Sequence, residues 1–322
     1  MRKHANRTYL FAPGNHERRV DKALGLGSDV VILDLEDAVA ISEKEKTRQV
    51  INERLQQKRN CAVFVRVNAY DTDFCFGDIY SIVTENLDGI VLPKLESPAD
   101  LKSVDWLLGN LEKERDLPIG GIELMPIIET AKGAALIRDI ATTSSRVRRL
   151  AFGGGDYTRD LGMEWSLSEE ELLPIRSEFV LASRFGDLEP PIDTVFIHIK
   201  EHNAYLKSCQ SVLKLGFQGK MCIHPDQVAV TNETFTPSEE EVVWSKRVIS
   251  EFERAERNRK TIHEEEVKQP QEENILYVQV FSNFALHMSK CEFHYRQEFC
   301  FPAEGEEDVD KVDRVNWGWG GG

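Results

Sequence analysis

Residues 150–162 read Leu-Ala-Phe-Gly-Gly-Gly-Asp-Tyr-Thr-Arg-Asp-Leu-Gly, a short apolar run that passes through Gly153, Gly154 and Gly155 into Asp156. Glycines lacking Cβ let a ligand approach the main chain and turn successive N–H groups toward an anion, and a neighbouring carboxylate suits a hard cation. A turn followed by a helix cap has the same signature. The company of the motif decides its meaning. Glu36 and Asp37, Arg66, Lys94 and Glu129 also stand at or just past apolar, strand-like runs.

Glu129 and Asp156 form the candidate metal pair, because Mg²⁺ takes a few carboxylates and completes its octahedron with water and substrate oxygens. Taken singly, Glu129 also fits a helix first-turn acid, and Asp156 a cap. Arg66 leaves the run Val63-Phe64-Val65 as a permanent cation able to bind a carboxylate or a developing enolate oxygen. Its alternative is an ion pair with Glu36 or Asp37, acids read here as supports that hold Arg66 or metal-bound water. Lys94, Arg18, Arg19 and Lys22 offer a basic cluster for a phosphorylated ligand, or a solvated helix face. His224 before Pro225 reads as structural.

These residues need a frame that brings strand ends together. Apolar runs at 9–12, 30–33, 62–67, 89–92, 124–128, 149–152, 194–197 and 221–223 alternate with helical patterns. Runs without polar alternation suit parallel strands covered by helices, and the eightfold repeat predicts a (β/α)8 TIM barrel, with catalytic groups where strands enter their following loops. Ser42 with Glu45, Ser97 before Pro98, and Thr236-Pro237 with Glu239 mark helix starts. The expected domain covers 1–256. Residues 257–322 form a charged linker and a C-terminal extension of unassigned fold, where His287, Cys291, His294 and Cys300 match no structural zinc spacing.

Bulk composition agrees. The chain has 322 residues, 41% hydrophobic and 30% charged, with a formal net charge of −15. That charge argues against a general nucleic-acid or membrane-surface binder. No run reaches the length of a membrane span, and the six cysteines form no CxxC pair, as expected of reduced thiols in a cytoplasmic protein.

The sequence resembles the citrate lyase β-subunit family, within the Mg²⁺-dependent HpcH/HpaI-type aldolases. The matching segments are Arg7-Thr8-Tyr9-Leu10-Phe11-Ala12-Pro13-Gly14-Asn15, Asp34-Leu35-Glu36-Asp37-Ala38-Val39, Arg66-Val67-Asn68, Leu92-Pro93-Lys94, Ile128-Glu129-Thr130, Phe152-Gly153-Gly154-Gly155-Asp156, and Gly219-Lys220 through His224-Pro225 to Phe235-Thr236-Pro237-Ser238. The resemblance implies a lyase that cleaves a citryl, malyl or citramalyl thioester by a retro-Claisen step, with Mg²⁺ on Glu129 and Asp156 and amides around Gly154 and Gly155 on the keto acid. Arg66 would stabilise the enolate. The acyl carrier would be coenzyme A or an acyl-carrier protein, its phosphates met by Arg18 and Lys22, and the keto acid oxaloacetate, glyoxylate or pyruvate. Homo-oligomers, often trimers, are common in such relatives. Their lid, with a Gly-Lys-Met-Val/Ile-Asp-type segment, has no counterpart in 257–322, so the resemblance assigns no catalytic acid/base. Two other readings stay open: a thioester-independent 4-hydroxy-2-oxo-acid aldolase, and a non-catalytic subunit that binds Mg²⁺ and a keto acid.

Overall fold

In the computed structural model, which describes residues 6–250 and 254, the parallel strands close into a barrel in sequence order, β1 to β8. They are β1 (Thr8–Pro13), β2 (Val30–Asp34), β3 (Ala62–Arg66), β4 (Gly89–Leu92), β5 (Glu123–Ile128), β6 (Ala151–Phe152), β7 (Ile192–Asp193) and β8 (Gly219–Cys222). The α-helices are α1 (Glu17–Leu24), α2 (Lys44–Leu55), α3 (Cys75–Ile82), α4 (Pro98–Glu114), α5 (Ala131–Ala135), α6 (Ile137–Ala141), α7 (Gly154–Asp160), α8 (Leu173–Phe185), α9 (His202–Leu215) and α10 (Pro225–Thr234), with another beginning at residue 239. The expected (β/α)8 barrel is the observed fold.

Alternation along each strand divides the apolar residues into two cores. One face packs outward under the helices, as with Leu10, Val31, Val63, Ile90 and Leu124. The other fills the barrel with Tyr9, Val30, Ile32, Phe64, Val91, Met125, Ile127, Ala151, Ile192 and Met221. Gly89 is needed beside Phe64, since a Cβ there would lie 2.6 Å from the ring. At the bottom the buried Arg149 plugs the barrel, donating to the Tyr9 hydroxyl and meeting Glu189 at 2.6 Å. The parity that buries Ile32 and Phe64 carries Asp34 and Arg66 inward at the upper rim, as register partners.

Three local expectations are corrected. The seventh strand is Ile192–Asp193, not 194–197. Ladder bonds are made by Ile192 N to Leu150 O and Gln218 N to Pro191 O, whereas the Thr194 hydroxyl and Phe196 carbonyl are taken by Gly154 N and the Gln227 side chain. Ser42 makes no helix cap; a 3₁₀ turn at Ile41–Glu43 leads into α2. The cap expected at Thr236 falls on Ser238, whose hydroxyl accepts from Glu241 N while the Glu241 carboxylate accepts from Ser238 N. Ser97 caps α4 as expected. Among the described residues Cys75, Cys209 and Cys222 are free thiols, and no helix is long and apolar enough to cross a membrane. The 257–322 boundary and the His/Cys group at 287–300 lie outside the described residues.

Charge is also buried outside the barrel. Asp193 points outward to Arg176 at 2.9 and 3.0 Å and to Lys220, while Arg176 reaches Glu169, which accepts from Ser208 at 2.6 Å. Asp193 is fully buried, and although burial opposes its charge, Arg176 and Lys220 hold its carboxyl below the usual range. Removing one member of such a cluster leaves uncompensated charge. Asp193→Asn is therefore expected to lower the unfolding free energy by about 3–5 kcal/mol in equilibrium urea titration. A loss below about 1 kcal/mol would show that the cluster does not support the fold.

Candidate active site

The upper rim begins with Arg66. Its Nε donates to Asp34 Oδ1 at 2.7 Å and its Nη2 to Oδ2 at 2.6 Å, a bidentate pair across β2 and β3. Asp34 also accepts from Glu36 N at 2.9 Å and Ala38 N at 3.0 Å, so its carboxylate organises the loop that follows its own strand. Burial opposes the Asp34 charge, but Arg66 and the two amides keep its pKa below the usual value. The guanidinium lies 4.8 Å over the Phe11 ring. Its third nitrogen, Nη1, is 3.1 Å from Glu36 Oε2 and 3.6 Å from Asp37 Oδ2.

Glu129 stands one residue beyond β5, and Thr130 behind it caps α5, so Glu129 is not a helix first-turn acid. Its Oε1 accepts the Lys94 main-chain N–H at 2.8 Å. Lys94 adopts φ 49°, an unusual value for a residue with a side chain. Burial, and then the charge of Glu36, push the Glu129 carboxyl up to about 8 against the pull of Lys94. The carboxylate fits because residue 153 is glycine: a Cβ there would lie 2.3 Å from Glu129 Oε2.

Asp156 lies in the first turn of α7, which starts at Gly154 with Gly153 before it, so it is not the cap residue. The Gly154 N–H donates to Thr194 Oγ1 at 2.7 Å, so this amide is already engaged within the protein. Lys94 joins the acids. Its ammonium is 3.1 Å from Asp156 Oδ2, 3.8 Å from Asp37 Oδ1 and in contact with Glu36. Burial works against that charge, but Glu36, with Glu129 and Asp37, raises the Lys94 pKa above its ordinary value. Lys94 therefore serves as a counter-cation inside the cluster instead of the phosphate contact expected of it.

Arg66, Lys94, Glu36, Asp37, Glu129 and Asp156 thus come together. Arg18 and Lys22 do not: both side chains are exposed on α1. His224 caps α10 through Nδ1, as its structural reading requires. Sequence reasoning placed Asp34 and Thr194 in or beside strand-like runs but gave neither a role. The inward parity of Val30, Ile32 and Asp34 was a usable signal for the first; Thr194 was hidden by the misplaced seventh strand.

Among the described residues no three His, Cys, Asp or Glu side chains are grouped to hold a metal on their own. The pair Glu129 and Asp156 fits an ion that keeps much of its own shell. Both are oxygen donors at the rim, both meet Lys94, and the Cβ-free position at Gly153 makes room for one of them.

Comparison with known proteins places this geometry. The family described as HpcH/HpaI aldolase/citrate lyase matches residues 7–225. The citrate lyase subunit beta of Leuconostoc mesenteroides subsp. cremoris is 34% identical over 251 residues, 77% of this chain and 83% of that protein. A (3S)-malyl-CoA thioesterase of Cereibacter sphaeroides is 33% identical over 257 residues, 79% of this chain and 86% of that one. The solved citrate lyase beta subunit from M. tuberculosis, complexed with oxaloacetate and magnesium, superposes with a TM-score of 0.61 at 26% identity, covering 73% of this chain and 99% of that chain. With these matches spanning its barrel, the chain belongs to the HpcH/HpaI aldolase/citrate lyase family.

Proposed function

We propose that this protein is a Mg²⁺-dependent carbon–carbon lyase that cleaves a 3-hydroxyacyl thioester of the citryl, malyl or citramalyl type into a keto acid and a shorter acyl thioester. The observation that carries the reading is Arg66, latched to Asp34 at the barrel mouth beside carboxylates that converge on Lys94. The relatives named for citrate lyase and malyl-CoA, and the solved relative with oxaloacetate and magnesium, support it. Arg18 and Lys22, exposed on α1, are the proposed contacts for the phosphates of coenzyme A or a carrier protein. A cytoplasmic homo-oligomer is part of the same proposal, by the resemblance of the sequence to its family.

In the reaction a base takes the 3-hydroxyl proton and the new carbonyl forms as the C2–C3 bond breaks. The electron pair of that bond becomes a thioester enolate, and a proton delivered to its carbon completes the acyl product. Glu129 and Asp156 would hold Mg²⁺, which supplies a Lewis acid for the keto-acid oxygens. Gly155 offers an N–H to the same acid. Arg66, fixed before substrate arrives, offers its guanidinium to the enolate oxygen without the reorganisation that water would need.

A coupled assay on citryl-CoA, malyl-CoA and citramalyl-CoA should detect keto-acid release from one of them, abolished by excess chelator. Free thiol without keto acid would instead mean thioester hydrolysis, the activity in the name of the Cereibacter relative. Silence on all three substrates, with Mg²⁺ and keto acid still bound, would defeat the coenzyme A lyase reading.

Variants divide the roles. Glu129→Ala and Asp156→Ala should each abolish Mg²⁺-dependent binding of oxaloacetate in calorimetry, whereas Arg66→Ala should spare it and cut turnover by roughly 10²- to 10³-fold. Unchanged affinity in both carboxylate variants would remove the metal assignment, and wild-type turnover would remove Arg66 from the mechanism.

The Glu129 carboxyl, pushed up to about 8, adds a pH dependence. Below that value the ion must displace a proton from Glu129; above it the carboxylate is already bare. Apparent Mg²⁺ affinity should therefore rise by up to roughly tenfold per unit as pH climbs toward about 8, then level off. A calorimetric series flat from about pH 6 to 9 would contradict this coupling.

A further inference from the structure

Lys44, the first residue of α2, is buried, and its ammonium faces no carboxylate in the bonds it makes. Its Nζ donates to Leu35 O at 2.9 Å, Glu36 O at 2.8 Å and Asn68 Oδ1 at 2.6 Å. An ammonium has three protons, and three neutral oxygens take them. The Phe74 ring lies 5.7 Å from the same nitrogen. This is the environment a protein builds for a small monovalent cation, with a side chain supplying the charge.

The oxygens belong to loops that leave two different strands. Leu35 and Glu36 follow β2, and Asn68 follows β3. Asn68 is itself fixed: its Nδ2 donates to Asp78 Oδ2 at 2.6 Å, its main-chain N to the same oxygen at 2.9 Å, and Arg48 holds the other Asp78 oxygen at 2.8 Å. Nδ2 is committed to Asp78 and, at 3.2 Å, to Leu35 O, so Oδ1 is left for Lys44. The residue whose carbonyl is pinned, Glu36, has a side chain that meets Arg66 and Lys94.

We propose that Lys44 is a positioning residue that acts as a tethered cation, clamping the loops after β2 and β3 so that Glu36 is held against Arg66 and Lys94. Its kinetic consequence rests on the lyase reading; the clamp itself does not.

Two readouts separate these. Lys44→Ala removes the equivalent of n-propylammonium and leaves three oxygens around the gap. Peptide-level hydrogen exchange over residues 34–39 should speed up by about tenfold or more, and added n-propylammonium should reverse most of that change. n-Propanol, which fills the space without the charge, should not. In the lyase assay the variant should lose roughly 10- to 100-fold in kcat with KM within about twofold, and n-propylammonium should restore kcat.

Unchanged exchange in Lys44→Ala overturns the clamp, and so does rescue by n-propanol as full as that by the ammonium ion. Altered exchange with unchanged kcat overturns the claim that the clamp serves the reaction. Should Lys44→Ala fail to fold even with n-propylammonium present, Asn68→Ala carries the test, since it removes one of the three oxygens and the tie to β3. Exchange over 34–39 at the wild-type rate in that variant overturns the proposal. A wild-type enzyme silent on every thioester defeats the lyase reading and leaves the exchange result standing by itself.

Discussion

The Arg66–Asp34 pair is the constraint from which the rest of the rim follows. A guanidinium over the Phe11 ring at the mouth of an apolar barrel needs a matched anion, and the register partner on the next strand supplies one with both oxygens. Because those oxygens also take the Glu36 and Ala38 amides, one carboxylate sets the orientation of the arginine and the course of the following loop together. Arg66 then has only Nη1 left to present, and it presents it toward Glu36 and the mouth. The direction of the site is thus decided by strand pairing, before any ligand contributes.

Charge balance explains what such a site calls for. Asp34, Glu36, Asp37, Glu129 and Asp156 gather around Arg66 and Lys94, so the acids outnumber the bases. The mismatch falls on Glu129, which is buried and within the field of Glu36, and its carboxyl answers by holding its proton up to about 8. Burying one more like charge near others costs more than protonating it. A divalent cation is the alternative remedy, and the oxygen-only donor set, with the Glu129 carboxylate seated against the Cβ-free Gly153, suits a small hard ion.

Much of this was legible in the sequence, and the gaps have physical causes. The apolar runs disclosed the barrel because strands buried on both faces carry few polar interruptions. The exception was the seventh strand, whose outward residue is Asp193, a charge sunk into an ion cluster; an apolar run in the following loop took its place in the reading. Arg66, Glu129 and Asp156 were found because each follows such a run, but Asp34 lies inside its strand, where only register reveals a partner. Lys44 was invisible for another reason. Within Ser42-Glu43-Lys44-Glu45-Lys46 it looks like any solvated helix lysine, and its oxygens come from main chain and amide groups that carry no charge signature.

Alternation along β7 joins the two charged systems of the protein. Asp193 turns outward into the cluster with Arg176 and Lys220, and Thr194, next in the chain, accepts the N–H of Gly154 where α7 begins. Asp156 lies two residues further along that helix. A strand of only two residues, Ile192–Asp193, has little ladder of its own to resist displacement. To that short ladder the buried cluster adds side-chain ties at Asp193, and the Gly154 amide bonds to the residue that follows. Two adjacent residues, Asp193 and Thr194, thus link the ion network beneath the helices to the helix that carries one proposed metal carboxylate.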